Sequence, residues 1–165
     1  MFLKEKGIDN YDDLVKKSSA ASAEFASRNK KIKEAETRMA EITELQKQIW
    51  IYGKTRDAYN RYKKSGFDKD LYESERADIT LHQAAKKYFD ERGYGKNNPL
   101  PKMDALKQEW ATLAAEKKKL YSGYREAKTK MVDLLTAKSN ADKILGVAPE
   151  RNASRSQNRS NSHDR

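Results

Sequence analysis

Residues 101–145 read PKMDALKQEWATLAAEKKKLYSGYREAKTKMVDLLTAKSNADKIL, and their spacing decides the fold. Alternating steps of three and four select Met103, Leu106, Trp110, Leu113, Lys117, Leu120, Tyr124, Ala127, Met131, Leu134, Lys138, Ala141 and Leu145. Only Lys117 and Lys138 among them are charged. Sustained apolar a and d positions mark a coiled-coil seam. Pro101 suits the first position of this helix, Asp104 favours its opening turn, and the pattern carries it to Leu145.

Upstream, Gly93-Tyr94-Gly95-Lys96-Asn97-Asn98-Pro99-Leu100-Pro101 opposes regular structure. Before it, Asp68 is an N-cap type that can open a helix running to Arg92, with Leu71, Tyr72, Ile79, Leu81, Ala85, Tyr88 and Phe89 to bury. Earlier still, Asp9 and Asn10 can cap a helix from about Tyr11, with Asp12 and Asp13 in its first turn. Its seam is Leu14, Ala21, Phe25, Ile32, Ala35, Met39, Ile42 and Ile49, interrupted by Arg28 and Gln46. From Leu45 the stripe steps across through Ile49 and Tyr52 to Tyr59 and Tyr62, and Gly53 is a candidate bend.

Helix ends are marked by glycine followed by an apolar residue, the signature of a left-handed C′ position whose successor folds back onto C3. Gly7 would set Ile8 on Leu3, Gly66 would set Phe67 on Tyr62, and Gly93 would set Tyr94 on Phe89. Gly146 before Val147 is a fourth, less regular case. Residues 1–8 therefore read as the end of a preceding helix, and residues 9–146 as a helical hairpin with a helical insert at 67–100. Two long helices joined by a compact insert should fold back antiparallel. Aligning Tyr62 with Met103 and Leu14 with Leu145 sets Phe25 near Leu134, Ile32 near Ala127, Met39 near Leu120, and Ile49 near Trp110 and Leu113. The expected fold is all-α, a long antiparallel coiled-coil hairpin with a small helical head and a disordered C-terminal tail at 147–165. Tyr52, Tyr59, Tyr62, Tyr88 and Tyr124 lie on stripes and are expected to fill core, whereas Trp50 falls off the stripe, half-exposed or covered by a partner.

The composition agrees with an elongated chain. Of 165 residues, 36% are hydrophobic and 36% charged, too little apolar material for a thick core. There is no cysteine, which excludes disulfides and thiolate chemistry and favours a reducing, cytoplasmic setting. No run is long or apolar enough to span a bilayer. The two histidines, His82 and His163, are far apart in the chain, so no metal cluster is expected, and His82 reads as a surface or edge residue. Helical spacing makes Glu34/Arg38, Glu24/Arg28 and Glu126/Lys130 candidate ion pairs. Gly53-Lys54-Thr55 lacks the first glycine and the strand of a phosphate loop. Neither a cofactor nor catalytic residues are expected.

What remains is charge. Residues 10–65 carry 13 basic and 8 acidic groups, 66–92 carry 5 and 7, and 93–145 carry 11 and 6. The excess forms clusters at Lys30, Lys31 and Lys33, at Lys54, Arg56, Arg61, Lys63 and Lys64, and at Lys117, Lys118 and Lys119 with Arg125 and Lys128. Such faces can hold a phosphate backbone without reading sequence, and they can equally be the solvated outside of a lysine-rich coiled coil. The candidate DNA contacts are Lys30, Lys31, Lys54, Arg56, Arg61, Lys117, Lys118, Lys119, Arg125 and Lys128. The tail repeats arginine at Arg151, Arg155 and Arg159 between Ser and Asn. It cannot bury enough surface to order itself, and with Trp50 it supplies the candidate partner contacts.

Particular phrases carry a family resemblance. Residues 7–15 (GIDNYDDLV), 42–57 (ITELQKQIWIYGKTRD) with Tyr59 to Gly66, 84–89 (AAKKYF) and 113–128 (LAAEKKKLYSGYREAK) resemble the C-terminal helical region of Mob-type relaxases, the mobilisation nucleases of conjugative elements, especially those of Firmicutes. The resemblance implies that the nicking tyrosine and the histidine metal cluster lie in an N-terminal nuclease domain outside this chain, so none of those residues carries over. It also implies a part that holds DNA at the transfer origin, contacts relaxosome accessory or coupling proteins, or presents the protein for secretion. The competing expectation is a helical interaction or homodimerisation module without DNA binding.

Overall fold

The computed structural model describes residues 2–146. Among them the fold is all-α, and the only extended pairing is an isolated bridge between Gly95 and Asn98. Seven helices occur in order: α1 (Phe2–Glu5), α2 (Tyr11–Lys54), α3 (Arg56–Lys64), α4 (Lys69–Ser74), α5 (Arg76–Glu91), α6 (Met103–Ser122) and α7 (Tyr124–Leu145). The expected disordered tail at 147–165 lies outside the described residues.

The glycine-marked helix ends form as expected. Gly7, Gly66 and Gly93 have φ of +62°, +75° and +75°. The amide after each donates back to the carbonyl five residues before it, Ile8 to Leu3 at 2.9 Å, Phe67 to Tyr62 at 3.1 Å and Tyr94 to Phe89 at 3.0 Å. The Phe67 and Tyr62 rings meet edge to face. Gly146 also turns left-handed, but Val147 lies outside the described residues. Asn10 accepts from the Asp13 amide and Asp68 from that of Leu71, both at 2.9 Å, which satisfies two first turns.

Each of the three long expected helices is divided. The first stops at Lys54 and resumes at Arg56, the second breaks at Glu75, and the third breaks at Gly123. The bend assigned to Gly53 falls two residues later, at Thr55. Contacts group the described chain into two compact units, residues 2–29 with 123–146, and Lys30–Ser122.

In the first unit, Ile8, Leu14, Ala21 and Leu134 form the core, with Met131, Ala137 and Ala141 against it. The start of α2 and α7 run in opposite directions here. The Tyr11 hydroxyl donates to Asp142, Lys130 lies 3.8 Å from Glu24, and the Phe25 and Tyr124 rings are 5.1 Å apart. The Lys17 ammonium caps α1 by donating to the Lys6 and Gly7 carbonyls at 2.7 and 2.9 Å.

In the second unit, Ile42, Leu45, Ala85, Phe89 and Leu106 are buried together, with Ile49, Tyr52, Tyr88, Tyr94, Leu100 and Leu113 packed on them. The later part of α2 runs opposite to α6. Arg38 forks onto both carboxylate oxygens of Glu109 at 2.7 and 3.2 Å, and Lys117 reaches Glu36 at 3.0 Å.

These contacts correct the expected register. Phe25 meets Tyr124 rather than Leu134, and Leu14 packs with Leu134 rather than Leu145. The alignment assumed one helix running to Tyr62, but α2 ends at Lys54 and the next turns belong to the head, where α3 packs on α5. Trp110, expected in the seam, is 42% exposed, and Leu145 is exposed too. The ion pairs are also reassigned. Glu24/Arg28 forms, but Glu34 meets Lys30, Arg38 meets Glu109 and Glu41, and Lys130 meets Glu24.

The two seam positions separate in a denaturation experiment. Leu106→Ala, at a fully buried core site, should lower unfolding free energy by about 2–5 kcal/mol. Trp110→Ala should cost less than Leu106→Ala, because 42% of the indole is already in solvent and its removal leaves no enclosed cavity. Urea unfolding followed by circular dichroism checks both.

Candidate nucleic-acid interface

The head is organised around a buried break. Thr55 closes the last turn of α2, and its hydroxyl lies 2.8 Å from the Ile51 carbonyl and 3.0 Å from Nδ1 of His82 on α5. A hydroxyl has one proton. The hydroxyl and Nδ1 of His82 share one hydrogen bond, whose direction follows the tautomer of the ring. The imidazole stacks on Tyr52 at 4.2 Å and on Tyr59 at 4.5 Å, each tilted by 18°. Two rings so close and so nearly parallel can occupy only opposite faces, so His82 is sandwiched between them.

His82 is 3% exposed, which corrects its expected place at the surface. Its neighbours Leu81 and Gln83 mislead. The signal was periodicity, since Ile79, His82, Ala85 and Phe89 form one buried stripe of α5. Burial pushes the imidazole pKa below its ordinary value, the Arg56 charge adds to the shift, and a hydrogen bond with the Tyr52 backbone opposes it.

Around this head and along α2 and α6 stand the candidate DNA contacts of the second unit. Lys31 and Lys119 flank a groove of about 460 Å³ whose floor is Ala35, Leu113 and Leu120, with Glu34 and Glu116 also on its walls. Lys118 and Lys119 are exposed, with no carboxylate within 4.0 Å among the described residues. Lys30 is drawn to Glu34 at 3.8 Å. Lys117 is committed to Glu36, whose carboxyl its hydrogen bond holds below the usual carboxylate range. At the end of α2, the Lys54 ammonium sits 4.8 Å over the ring of Trp50, a side chain left 60% exposed. Arg56 is exposed, whereas Arg61 is held by Glu75.

Arg125 and Lys128 belong to the first unit. There Arg125 lines a groove of about 610 Å³ with Lys6, Arg28 and Lys130, opposed by Glu24, Glu126 and Asp133. Both are exposed, but the acidic wall makes this groove of mixed sign. Gly123 at its edge is a feature the sequence reading did not single out. A Cβ there would lie 2.9 Å from the Arg28 guanidinium, so the residue that interrupts the α2 stripe needs a glycine opposite. Arg151, Arg155 and Arg159 lie outside the described residues.

Thus Lys31 and Lys119 are brought together, Lys54 is brought to Trp50, and Lys117 and Arg61 are taken up by carboxylates. Among the described residues no group of three or more His, Asp or Glu side chains is placed to hold a metal ion. No helix of the described residues is long and apolar enough to cross a membrane. The chain matches no protein-family model, and neither a curated protein nor a solved structure matches it.

The buried histidine makes stability pH-dependent with a definite sign. Its folded pKa is depressed, so through the interval between the folded value and the unfolded value of about 6.5 the unfolded chain binds more protons, and stability rises with pH. Unfolding free energy should therefore fall as pH drops below the unfolded value, by at most about 1.4 kcal/mol per pH unit for one proton. Urea midpoints between pH 7.5 and 5 should show the fall, and His82→Phe should flatten it.

Proposed function

We propose that the chain is a non-catalytic, nucleic-acid-binding helical region of a mobilisation protein, like the C-terminal part of a Mob-type relaxase, acting in the cytoplasm during conjugative DNA transfer. The observation that carries the binding reading is the pairing pattern of the second unit. Lys30, Lys117, Arg38 and Arg61 are engaged by carboxylates, while Lys31, Lys54, Arg56, Lys118 and Lys119 have no carboxylate within 4.0 Å among the described residues. Solvated cations of this kind suit phosphates of any sequence, because they attract the backbone without contacting base edges. The family assignment rests on the phrases quoted above. With it goes the expected coiled-coil hairpin, supported within each unit by helices of opposite direction and by burial of Leu14, Ile32, Ile42, Leu106 and Leu134.

A second reading, a protein-interaction or homodimerisation module serving relaxosome or coupling partners, is favoured by one observation. On α7, Val132, Leu135, Ile144 and Leu145 are exposed apolar side chains.

A salt titration of duplex binding tests the first reading. Log affinity should fall linearly with log salt, and Lys118→Glu with Lys119→Glu should reduce the slope by about 2 if both touch phosphates. No affinity for duplex or single-stranded DNA at low salt would remove the reading. Equal binding by the charge-reversed variant would move the contacts off α6.

A further inference from the structure

Glycine at position 53 is the next-to-last residue of α2, where the interior cost of about 1 kcal/mol relative to alanine is an upper bound. The helix does not break there, and no neighbouring atom lies within 4 Å of where a Cβ would be. Packing and backbone strain therefore give no reason for it. Its effect is to leave open ground one turn from Trp50, since residues three apart are neighbours on a helix surface. Trp50 itself is 60% exposed, unlike the tyrosines of the head, which are all at least partly covered.

The surroundings of this ring are polar and basic. Residues one turn away on the same face are Gln46, Lys47, Gly53 and Lys54. Lys54 has no carboxylate within 4.0 Å among the described residues, and Lys47 comes only to 4.0 Å of Glu44. Trp anchors of protein interfaces sit among apolar contacts that exclude water, and none of these four one-turn neighbours on α2 is a large apolar side chain. An ammonium can cover only one face of a ring, and the exposure leaves area for a second planar group. A flat apolar surface flanked by cations matches a nucleobase with its phosphates.

We propose that Trp50 is a stacking platform for an unpaired base, with Lys54 and Lys47 holding the flanking phosphates and Gly53 leaving room for the base. The ligand class is single-stranded nucleic acid. In duplex DNA the bases are already stacked on one another, so the ring has no part in duplex binding. The inference rests on the nucleic-acid reading above and adds strand selectivity to it.

The test measures anisotropy of a labelled oligothymidylate and, separately, a labelled duplex at low salt, with wild type, Trp50→Ala, Trp50→Phe and Gly53→Leu. Because Trp50 is exposed, circular dichroism should show every Trp50 variant folded. Trp50→Ala should weaken oligothymidylate binding by about ten-fold or more while duplex affinity stays within about two-fold, and Trp50→Phe should retain most of the affinity. Gly53→Leu should weaken the oligothymidylate selectively. Unchanged oligothymidylate affinity in Trp50→Ala overturns the proposal and leaves the ring to a protein contact, with duplex binding still supporting the broader reading. Absence of binding to either nucleic acid overturns both.

Discussion

The head depends on one contact, the hydrogen bond between Thr55 and His82. A threonine within a helix can turn its hydroxyl back to the carbonyl four residues earlier, and Thr55 does so to Ile51. The same buried oxygen meets Nδ1 of His82 at 3.0 Å. The imidazole is fixed by Tyr52 before the break and Tyr59 after it, so one ring of α5 ties α2 to α3 across the interruption. Without a partner the buried Thr55 oxygen and imidazole nitrogen would each carry a desolvation cost. Paired, they end α2 at a defined residue, and the exposed Trp50, Gly53 and Lys54 lie in its final turns.

The remainder of the molecule follows from a shortage of apolar side chains. The main hydrophobic cluster has five buried residues in one unit and four in the other, supplemented by half-buried tyrosines and aliphatics. Polar contacts fill the gaps between them. Arg38 grips Glu109 in the second unit, and Tyr11 and Lys138 both reach the buried Asp142 in the first. Carboxylates used in this way select which lysines are neutralised and which stay free for a phosphate.

Much of this was legible before the structure. The caps at Gly7, Gly66 and Gly93 were visible because a left-handed residue followed by an apolar one has few other uses. The all-helical class was visible in the heptads of residues 101–145. Register was not, because it required knowing where α2 stops, and the role of Thr55 comes from a partner 27 positions away. Gly123 was missed for a similar reason, since its need for a missing side chain arises from Arg28 on another helix. His82 could have been found from the period of α5 rather than from its immediate neighbours. Of the candidate contacts, the sequence located every cation but could not separate Lys117, held by Glu36, from Lys118 and Lys119 beside it.

Function inherits that division. The proposed nucleic-acid reading rests on two kinds of surface, lysines without a carboxylate along α2 and α6 and an exposed indole beside a glycine. The indole lies in the last turns of α2 before the buried break, so the state of the histidine at that break is the most direct test. Residue-assigned NMR of His82 should show ring protons moved upfield by the two flanking tyrosines and a titration midpoint below about 6.5. Ring protons at ordinary shifts, titrating at the ordinary value, would contradict the sandwich and with it the placement of everything built on the end of α2.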